Sequence, residues 1–332
     1  MDSDPTGRPG ATYPDAVLPI ETLLAERALI CPTCGSTIER VGADWRCSAS
    51  SCSNSVTPFA VAAGVPAFVD FEQSVLSREA LASTDAASLV TRTERPGLVK
   101  RMLHPANHTA PRIAATMLDL LLADQPQRKP RILVIGGGTV GNGLETLYAD
   151  DRGDIVGFDV YASDHTQFVA DGHRIPLADG SVDGVIIQAV LEHVLEPVVV
   201  VAEIRRVLRA GGLVYADTPF MQQVHEGPYD FTRFTESGQR YLFRDFEEIE
   251  SGMVAGAGTS LRWSIQYFVR ALSRSIAIGR IAGLLFFWLS HLDRFLDPKH
   301  SLDGANSVYF LGRRGSRVMT PHEAIEHYLG GM

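Results

Sequence analysis

The run Arg131-Ile-Leu-Val-Ile135, followed at once by Gly136-Gly-Gly138-Thr-Val-Gly141-Asn-Gly143, constrains this chain more than any other feature. The apolar run suits a parallel strand buried on both faces. Gly136, Gly138 and Gly141 satisfy G-x-G-x-x-G between that strand and a helix-like Leu144-Glu-Thr-Leu147. Glycines there permit a tight turn and a close approach of a ligand to the backbone. Alone, the motif fits NAD, FAD or S-adenosylmethionine equally, or only a tight turn.

The surrounding pattern alternates helix and strand. Ile113 to Leu122 carries apolar residues at helical spacing, and Asp154-Ile-Val-Gly-Phe-Asp159 reads as the next strand. Asp159 ends it, where a carboxylate can accept both ribose hydroxyls of an adenosyl cofactor; a solvated strand-end Asp is the plainer reading. Further on, Glu203 to Pro219 reads as a helix stopped at Gly211-Gly212 and then a strand. Arg205, Arg206 and Arg209 read as that helix's solvated face and dipole partners. Phe246–Glu250 and Val308–Gly312 should be the last two strands. The expected fold is α/β.

The third unit narrows the choice of cofactor. Phe168-Val-Ala-Asp171-Gly-His173-Arg-Ile-Pro176-Leu-Ala-Asp179-Gly-Ser-Val-Asp183 runs on through Gln188 to Leu191-Glu-His193. Over residues 130–220 it resembles the class I S-adenosylmethionine-dependent methyltransferases of the type 11-like branch, with their D-A-x-x-L-P-F-x-D-x-S-F-D and L-E-H blocks. The resemblance implies a Rossmann-like seven-stranded sheet with an antiparallel last strand. It implies cofactor contacts from Gly136, Gly138 and Gly141, from Asp159 and Val160 at the ribose, from Asp171 and Gly172 at the adenine, and from Gln188 at the methionine part. Val134 departs from the family's acid near the cofactor amino group, and Val140 stands at the usual third glycine.

After the fifth strand comes Pro219-Phe-Met-Gln-Gln-Val-His225-Glu-Gly-Pro228-Tyr229-Asp230-Phe-Thr-Arg233-Phe-Thr235. It resembles the H-x-x-P-x-D-x-x-R-[FY]-T block of methyltransferases from bacterial small-molecule and surface-glycan pathways. Ligands bind beyond the carboxyl ends of strands in open α/β sheets, so this loop should overhang the reacting methyl group. Tyr229, Asp230 and Arg233 are the acceptor-binding candidates, although Asp230 and Arg233 equally read as a pair that holds the loop. His225 and His193 are the candidate bases, because a neutral imidazole accepts a proton near pH 7. His225 ranks first; His193 also reads as a residue that only orders its loop. Gln188-Ala-Val-Leu stands where nucleic-acid amino-methylating enzymes carry Asn-Pro-Pro-Tyr. That favours oxygen, and after it carbon, as the acceptor atom.

All four cysteines lie between positions 31 and 52. Cys31-Pro-Thr-Cys34 is followed after twelve residues by Cys47 and after four more by Cys52. Two such pairs can set four thiolates around a structural Zn2+, whose binding energy helps fold a ribbon too small to bury a core. Two disulfides or four unrelated thiols are the alternatives, less fitting in a reducing compartment. The following Val56 to Asp70, with Gly64-Val-Pro66, resembles the end of Trm112-like zinc ribbons, which accompany methyltransferases. Residues 1–70 hold four Arg and no Lys against eight Asp and Glu, which suits partner docking better than RNA.

The whole chain of 332 residues has a net charge of −9, which argues against nucleic acid as a partner. The first thirty residues lack a basic start followed by an apolar core, so a cytoplasmic protein is expected. Within it, Leu261–Arg314 is basic, with eight Lys and Arg against three Asp and Glu, and rich in aromatic residues. An insertion at about 261–301 is expected to be a helical lid or homodimer face, or else a helix that makes a peripheral membrane contact. The expected organisation is a zinc ribbon over 1–70, a helical linker over 71–110, a methyltransferase domain over 111–318 and a terminal helix over 319–332. The expected reaction is methylation of a hydroxyl on a small molecule or glycan. A ribbon-guided RNA methyltransferase and a non-catalytic cofactor-binding scaffold are the rival readings.

Overall fold

The structure, a computed structural model, describes residues 17–82 and 107–332. The start of the chain and residues 83–106, most of the expected linker, lie outside the described residues. The chain opens with α1 (Ile20–Ala25) and the hairpin β1 (Ile38–Val41) and β2 (Asp44–Cys47). One turn, α2 (Ser53–Val56), leads to a second hairpin of β3 (Ala60–Ala62) and β4 (Val65–Ala67). Its turn residues Ala63 and Gly64 both have positive φ, 47° and 84°. Both central residues of a type I′ turn require this, and it matches the twist of the flanking strands.

After α3 (Arg78–Ala82) and α4 (Thr109–Asp124) come five parallel strands: β5 (Arg131–Ile135), β6 (Asp154–Asp159), β7 (Phe168–Val169), β8 (Val182–Gln188) and β9 (Leu208–Pro219), with α5 (Glu145–Tyr148) between the first two. β10 (Glu247–Ala255) and β11 (Ser307–Arg313) complete the sheet, whose order is β10-β11-β9-β8-β5-β6-β7-β4-β3. β11 runs antiparallel to both of its neighbours, β9 and β10. The seven strands β5 to β11 form the Rossmann-like sheet expected of the domain. The order reverses at β5, and the carboxyl ends beside such a point form the crevice where ligands bind.

Alternate residues of the central strands face opposite layers. Leu133, Ile135, Val156, Phe158, Val185 and Ile187 pack with α6 (Pro197–Val207) and α7 (Glu236–Leu242). Ile132, Val134, Ile155 and Ile186 pack with Ile113, Met117, Leu118 and Leu121 of α4. Both faces of each strand are therefore dry, which is why the sequence shows continuous apolar runs there.

The ribbon is not a separate bead. β4 pairs in parallel with β7, at Ala67 and Val169, so the ribbon's second hairpin lengthens the sheet to nine strands. Phe68 is fully buried at this join, with ring centroids 5.5 Å from Trp45, 5.2 Å from Phe59 and 5.9 Å from Phe168. Burying such a ring stabilises by about 1.5–3 kcal/mol, so the ribbon and the large domain share one core.

Two readings of the fifth unit are corrected. The helix stops at Val207, four residues before Gly211, because Leu208 already pairs with Val182 in β9. Gly211, with φ +75°, instead kinks the strand. Arg206 and Arg209 are not a solvated face. Arg206 holds Glu203, Asp179 and the carbonyls of Ile175 and Leu177. Arg209 joins Arg128 and the Arg131 N–H on the buried Asp183 carboxylate.

The insertion leaves the sheet between β10 and β11. It comprises α8 (Ala257–Ser273), α9 (Ile276–Leu285), α10 (Trp288–Leu292) and α11 (Pro298–Leu302). α8 and α9 lie close because Gly279 and Gly283 face Arg270 and Gln266, leaving no room there for a Cβ. Asp293 folds back to accept from the N–H groups of Gly256, Gly258 and Thr259 and so anchors the start of α8. The chain ends with α12 (Pro321–Glu326), which carries a capping box of Thr320 and Glu323.

Candidate active site

A cleft of about 1070 Å³ opens beyond the carboxyl ends of β5, β8 and β9. Gly141 and Asn142 of the glycine loop, Gln188 at the end of β8 and Asp217 of β9 form its floor. Arg262 and Trp263 of α8, with Ser290 and His291 of α10, roof it. The insertion is therefore a lid over this cleft. Tyr267 Oη donates to the Val224 carbonyl at 2.5 Å, and Gln223 Nε2 to Ser264 Oγ at 3.2 Å, which ties the lid to the loop after β9.

Glu192, His193 and His225 meet on one wall of the cleft. Their donor atoms all lie within 4.8 Å of one another. His193 Nε2 is 3.5 Å and His225 Nε2 3.9 Å from Glu192 Oε1, and the two rings stand edge to face with centroids 5.1 Å apart. His193 Nδ1 bonds the Tyr229 carbonyl at 2.7 Å, and His225 Nδ1 meets the Gln223 carbonyl at 3.3 Å and lies 3.5 Å from Asp230 Oδ2. Such Nδ1 partners orient both rings and leave Nε2 free toward the carboxyl.

Local backbone sets this wall. Ala189 has φ 52° directly after β8, a left-handed conformation uncommon for a residue with a Cβ. It leads into the 3-10 turn Leu191–His193, whose first two residues are buried. The Glu192 carbonyl accepts the N–H groups of Phe231 and Thr232, which brings the His225 loop alongside.

Both Glu192 carboxyl oxygens are buried and without a hydrogen-bond partner among the described residues, as is Gln188 Oε1. Burial pushes the Glu192 carboxyl up to about 8 and Asp217 up to about 7. Burial also pulls the His193 imidazole down to about 4. Near pH 7 the wall therefore holds groups close to exchanging protons, which is what general acid–base chemistry needs.

Of the residues singled out in the sequence, Gly141, Gln188, His193 and His225 line this cleft together. Gly136, Gly138, Asp159, Val160, Asp171 and Gly172 lie outside its lining, around the ends of β5, β6 and β7. Asp159 accepts the Gly138 N–H at 2.9 Å and the Val160 N–H at 2.7 Å, which locks the loop to the second strand. A Cβ on Gly138 would collide with that carboxylate, and one on Gly141 with Gln188 Oε1. Asp171 takes hydrogen bonds from the His173 N–H and ring and from Ser74 Oγ. Burial would raise the Asp171 carboxyl, but those bonds outweigh it and hold its pKa low.

Asp230 and Arg233 bond each other, and Arg233 also holds the Gln222 and Gln223 carbonyls. Burial would raise Asp230, but Arg233 and the His225 N–H outweigh it and keep its pKa at about 2. Tyr229 is exposed, and none of Tyr229, Asp230 and Arg233 lines the cleft. Sequence reasoning assigned no role to Glu192, Asp217 or Arg262. For Glu192 the signal was faint, an acid among Ala189, Val190, Leu191 and Val194 with a second acid, Glu196, in the same stretch.

At the ribbon, Cys31, Cys34, Cys47 and Cys52 converge, with sulfur separations of 3.8 Å for Cys31–Cys52 and 3.4 Å for Cys34–Cys47. Four thiolates held tetrahedrally at about 2.3 Å from a zinc ion stand about 3.8 Å apart. Asn54 Nδ2 and the Ala49 N–H point at the sulfurs of Cys31 and Cys47, each at 3.5 Å. None of the four is in a disulfide. The cluster could hold a metal ion.

Residues 135–216 match the methyltransferase domain family. No curated protein matches the sequence. Among solved structures, a candidate sarcosine dimethylglycine methyltransferase from Galdieria sulphuraria is 15% identical, with a TM-score of 0.41 over 63% of this chain and 86% of that one. A chain of the complex between the Haloferax volcanii Trm112 methyltransferase activator and its candidate methyltransferase is 20% identical, with a TM-score of 0.36 over 60% and 89%. Haemonchus contortus phosphoethanolamine N-methyltransferase 2, in complex with S-adenosyl-L-methionine, is 16% identical, with a TM-score of 0.41 over 78% and 62%. With the strand order above, the family match places a methyltransferase domain at the centre of the chain.

Proposed function

We propose that the protein methylates a hydroxyl oxygen of a small molecule or glycan bound in the cleft under the lid. The observation that carries this reading is the Glu192–His193–His225 wall, a buried, unpartnered carboxyl facing two imidazole Nε2 atoms. S-adenosylmethionine, when bound, supplies an electrophilic methyl group. A hydroxyl acceptor must lose its proton as the new bond forms. His225 Nε2 takes that proton, with the Glu192 carboxyl facing the same nitrogen. Gly136, Gly138 and Gly141 would hold the cofactor with Asp159 and Asp171, and Gln188 would turn its free Oε1 to the cofactor's amino-acid end. The two orphaned acceptors, Gln188 Oε1 and the Glu192 carboxyl, fit a cationic cofactor and a protonated acceptor better than an empty apolar cleft.

The four-cysteine ribbon, in this reading, binds a structural Zn2+ and braces the sheet edge rather than touching the acceptor. The test is turnover of radiolabelled S-adenosylmethionine against panels of sugars and phenols, with calorimetric titration of S-adenosylhomocysteine on the same sample. Product from a hydroxyl acceptor, lost in His225→Ala while cofactor affinity holds, supports the reading. Transfer only to nitrogen, or full activity in His225→Ala, rejects it.

A further inference from the structure

We infer that the outer face of the lid docks onto an anionic lipid surface, so that the cleft meets an amphiphilic acceptor held in that surface. The docking stands on the lid alone; the acceptor class rests on the methyl-transfer reading above.

The inner side of the lid roofs the cleft, and among the described residues nothing covers the outer side. On α8, Leu261, Phe268 and Leu272 are exposed at steps of seven and four, and Leu272 keeps 75% of its surface. On α9 and α10, Ile278, Ile281, Leu285, Trp288 and Leu292 are exposed at steps of three and four, with Leu285 at 69%. These spacings put the first set along one stripe of α8, Ile278, Ile281 and Leu285 along one stripe of α9, and Trp288 and Leu292 one turn apart on α10. Phe295, 70% exposed, continues the apolar surface past α10. Soluble monomers rarely leave so contiguous an apolar surface without a use for it.

Charge selects the occupant. From Leu261 to Leu292 there is no Asp or Glu. Arg270, Arg274 and Arg280 are exposed there, as are Arg294 and Lys299 just beyond, and none of these forms an ion pair among the described residues. The remainder of the chain is acidic enough to bring the total to −9. An anionic bilayer repels that remainder and attracts this face, which orients the molecule. A second copy of the chain is the weaker occupant, because a two-fold contact would bring two arginine-bearing faces together, and the nearest acids, Asp293 and Asp297, are already held by the start of α8 and by His300.

The geometry favours lying on the bilayer over crossing it. Ile276–Phe295 has the length and composition of a spanning helix, with mean hydropathy 1.3. It loosens at Phe286–Phe287, however, and α9 alone is about 15 Å long, half of a bilayer core. Its Gly279, Ala282 and Gly283 are also buried against α8. Arg and Trp on a helix with one apolar face suit the interface itself. Because Trp263 and His291 line the cleft from the same helices that carry the exposed stripes, docking would bring the cleft and the lipid surface together.

The test is flotation of the purified full chain with phosphatidylcholine vesicles, with and without phosphatidylglycerol, alongside its sedimentation equilibrium. Flotation with the anionic vesicles, weakened by salt, is expected. Leu285→Glu combined with Trp288→Glu should abolish it, and Arg274→Ala combined with Arg280→Ala should weaken it roughly thirtyfold, about fivefold per arginine. Retained S-adenosylhomocysteine binding shows that each variant is folded. No flotation of the wild-type chain, or flotation unchanged in both double variants, overturns the inference. So does a dimer that Leu285→Glu alone dissociates. Flotation by a chain that does not bind S-adenosylhomocysteine would reject the proposed function and leave the docking standing.

Discussion

Replacing Glu192 by Gln should make this protein more stable and less active, by an amount that depends on pH. Its carboxyl is fully buried, has no hydrogen-bond partner and is pushed up to about 8 from the ordinary 4.5. Between those two values the folded chain keeps the proton and the unfolded chain releases it. Stability from this group is therefore complete below pH 4.5 and is lost as pH rises toward 8. From pH 5 to pH 7.5 the loss comes to about 3 kcal/mol, from 2.5 pH steps at about 1.36 kcal/mol each. The glutamine variant would keep the shape without the titration, so the stability gap between variant and wild type should widen in the variant's favour by about that amount. Asp217 and the other titrating groups are common to both proteins and cancel in the difference. Urea unfolding of both proteins at half-unit pH steps measures this gap directly. Above pH 8, where Glu192 is ionised and can balance an imidazolium at His225, turnover of the variant should fall at least tenfold below wild type, because Gln cannot carry that charge. A gap that stays flat with pH would refute the buried, raised carboxyl, and a gap that narrows would mean that Glu192 is held ionised.

Three further outcomes follow from the same geometry. Asp183→Ala removes the carboxylate that joins Arg128, Arg209 and the Arg131 N–H, and should cost about 2–3 kcal/mol in urea unfolding with cofactor affinity little changed; the arginines left behind can rehydrate, which keeps the cost from being larger. Asp159→Ala frees the Gly138 N–H from its 2.9 Å bond and should weaken S-adenosylhomocysteine binding at least tenfold by calorimetry, whereas unchanged affinity would dismiss Asp159 as a cofactor ligand. Cys34→Ser with Cys47→Ser should release one zinc per chain by metal assay and lower the melting temperature, and a metal-free wild-type chain would refute the ribbon.

The sheet was legible because its strands are buried on both faces and write continuous apolar runs at Arg131–Ile135 and Asp154–Asp159. The glycine loop was legible because its turns exclude a Cβ, as at Gly141 against Gln188. The stop of α6 was not. Gly211 looked like a helix terminator, but tertiary pairing of Leu208 with Val182 claimed the preceding residues for the strand. Arg206 and Arg209 were misread for a related reason, since their carboxylate partners, Asp179 and Asp183, come from another unit of the fold. Glu192 was hidden for a third reason. Burial without a partner is a property of three-dimensional packing, and a Glu beside a His in sequence looks the same whether it is wet or dry.

The join between ribbon and domain follows from edge chemistry. A sheet that ended at β7 would expose a two-residue edge strand, too short to protect itself yet open to pairing with another chain. β4 covers that edge, and Phe68 fills the core behind it. The next segment then turns inward, so that Ser74 donates to Asp171 at 2.5 Å and Gln73 accepts from Arg174 at 3.1 Å. The residue proposed to meet the adenine is thus held by the segment that follows the ribbon. A metal ion in the four-cysteine cluster would brace β1, β2 and the start of α2, these would brace β4, and β4 would set the position of Ser74 against Asp171. Loss of the metal should therefore weaken cofactor binding even though no cysteine lies in the cleft, and restoring zinc to the stripped chain should restore both together.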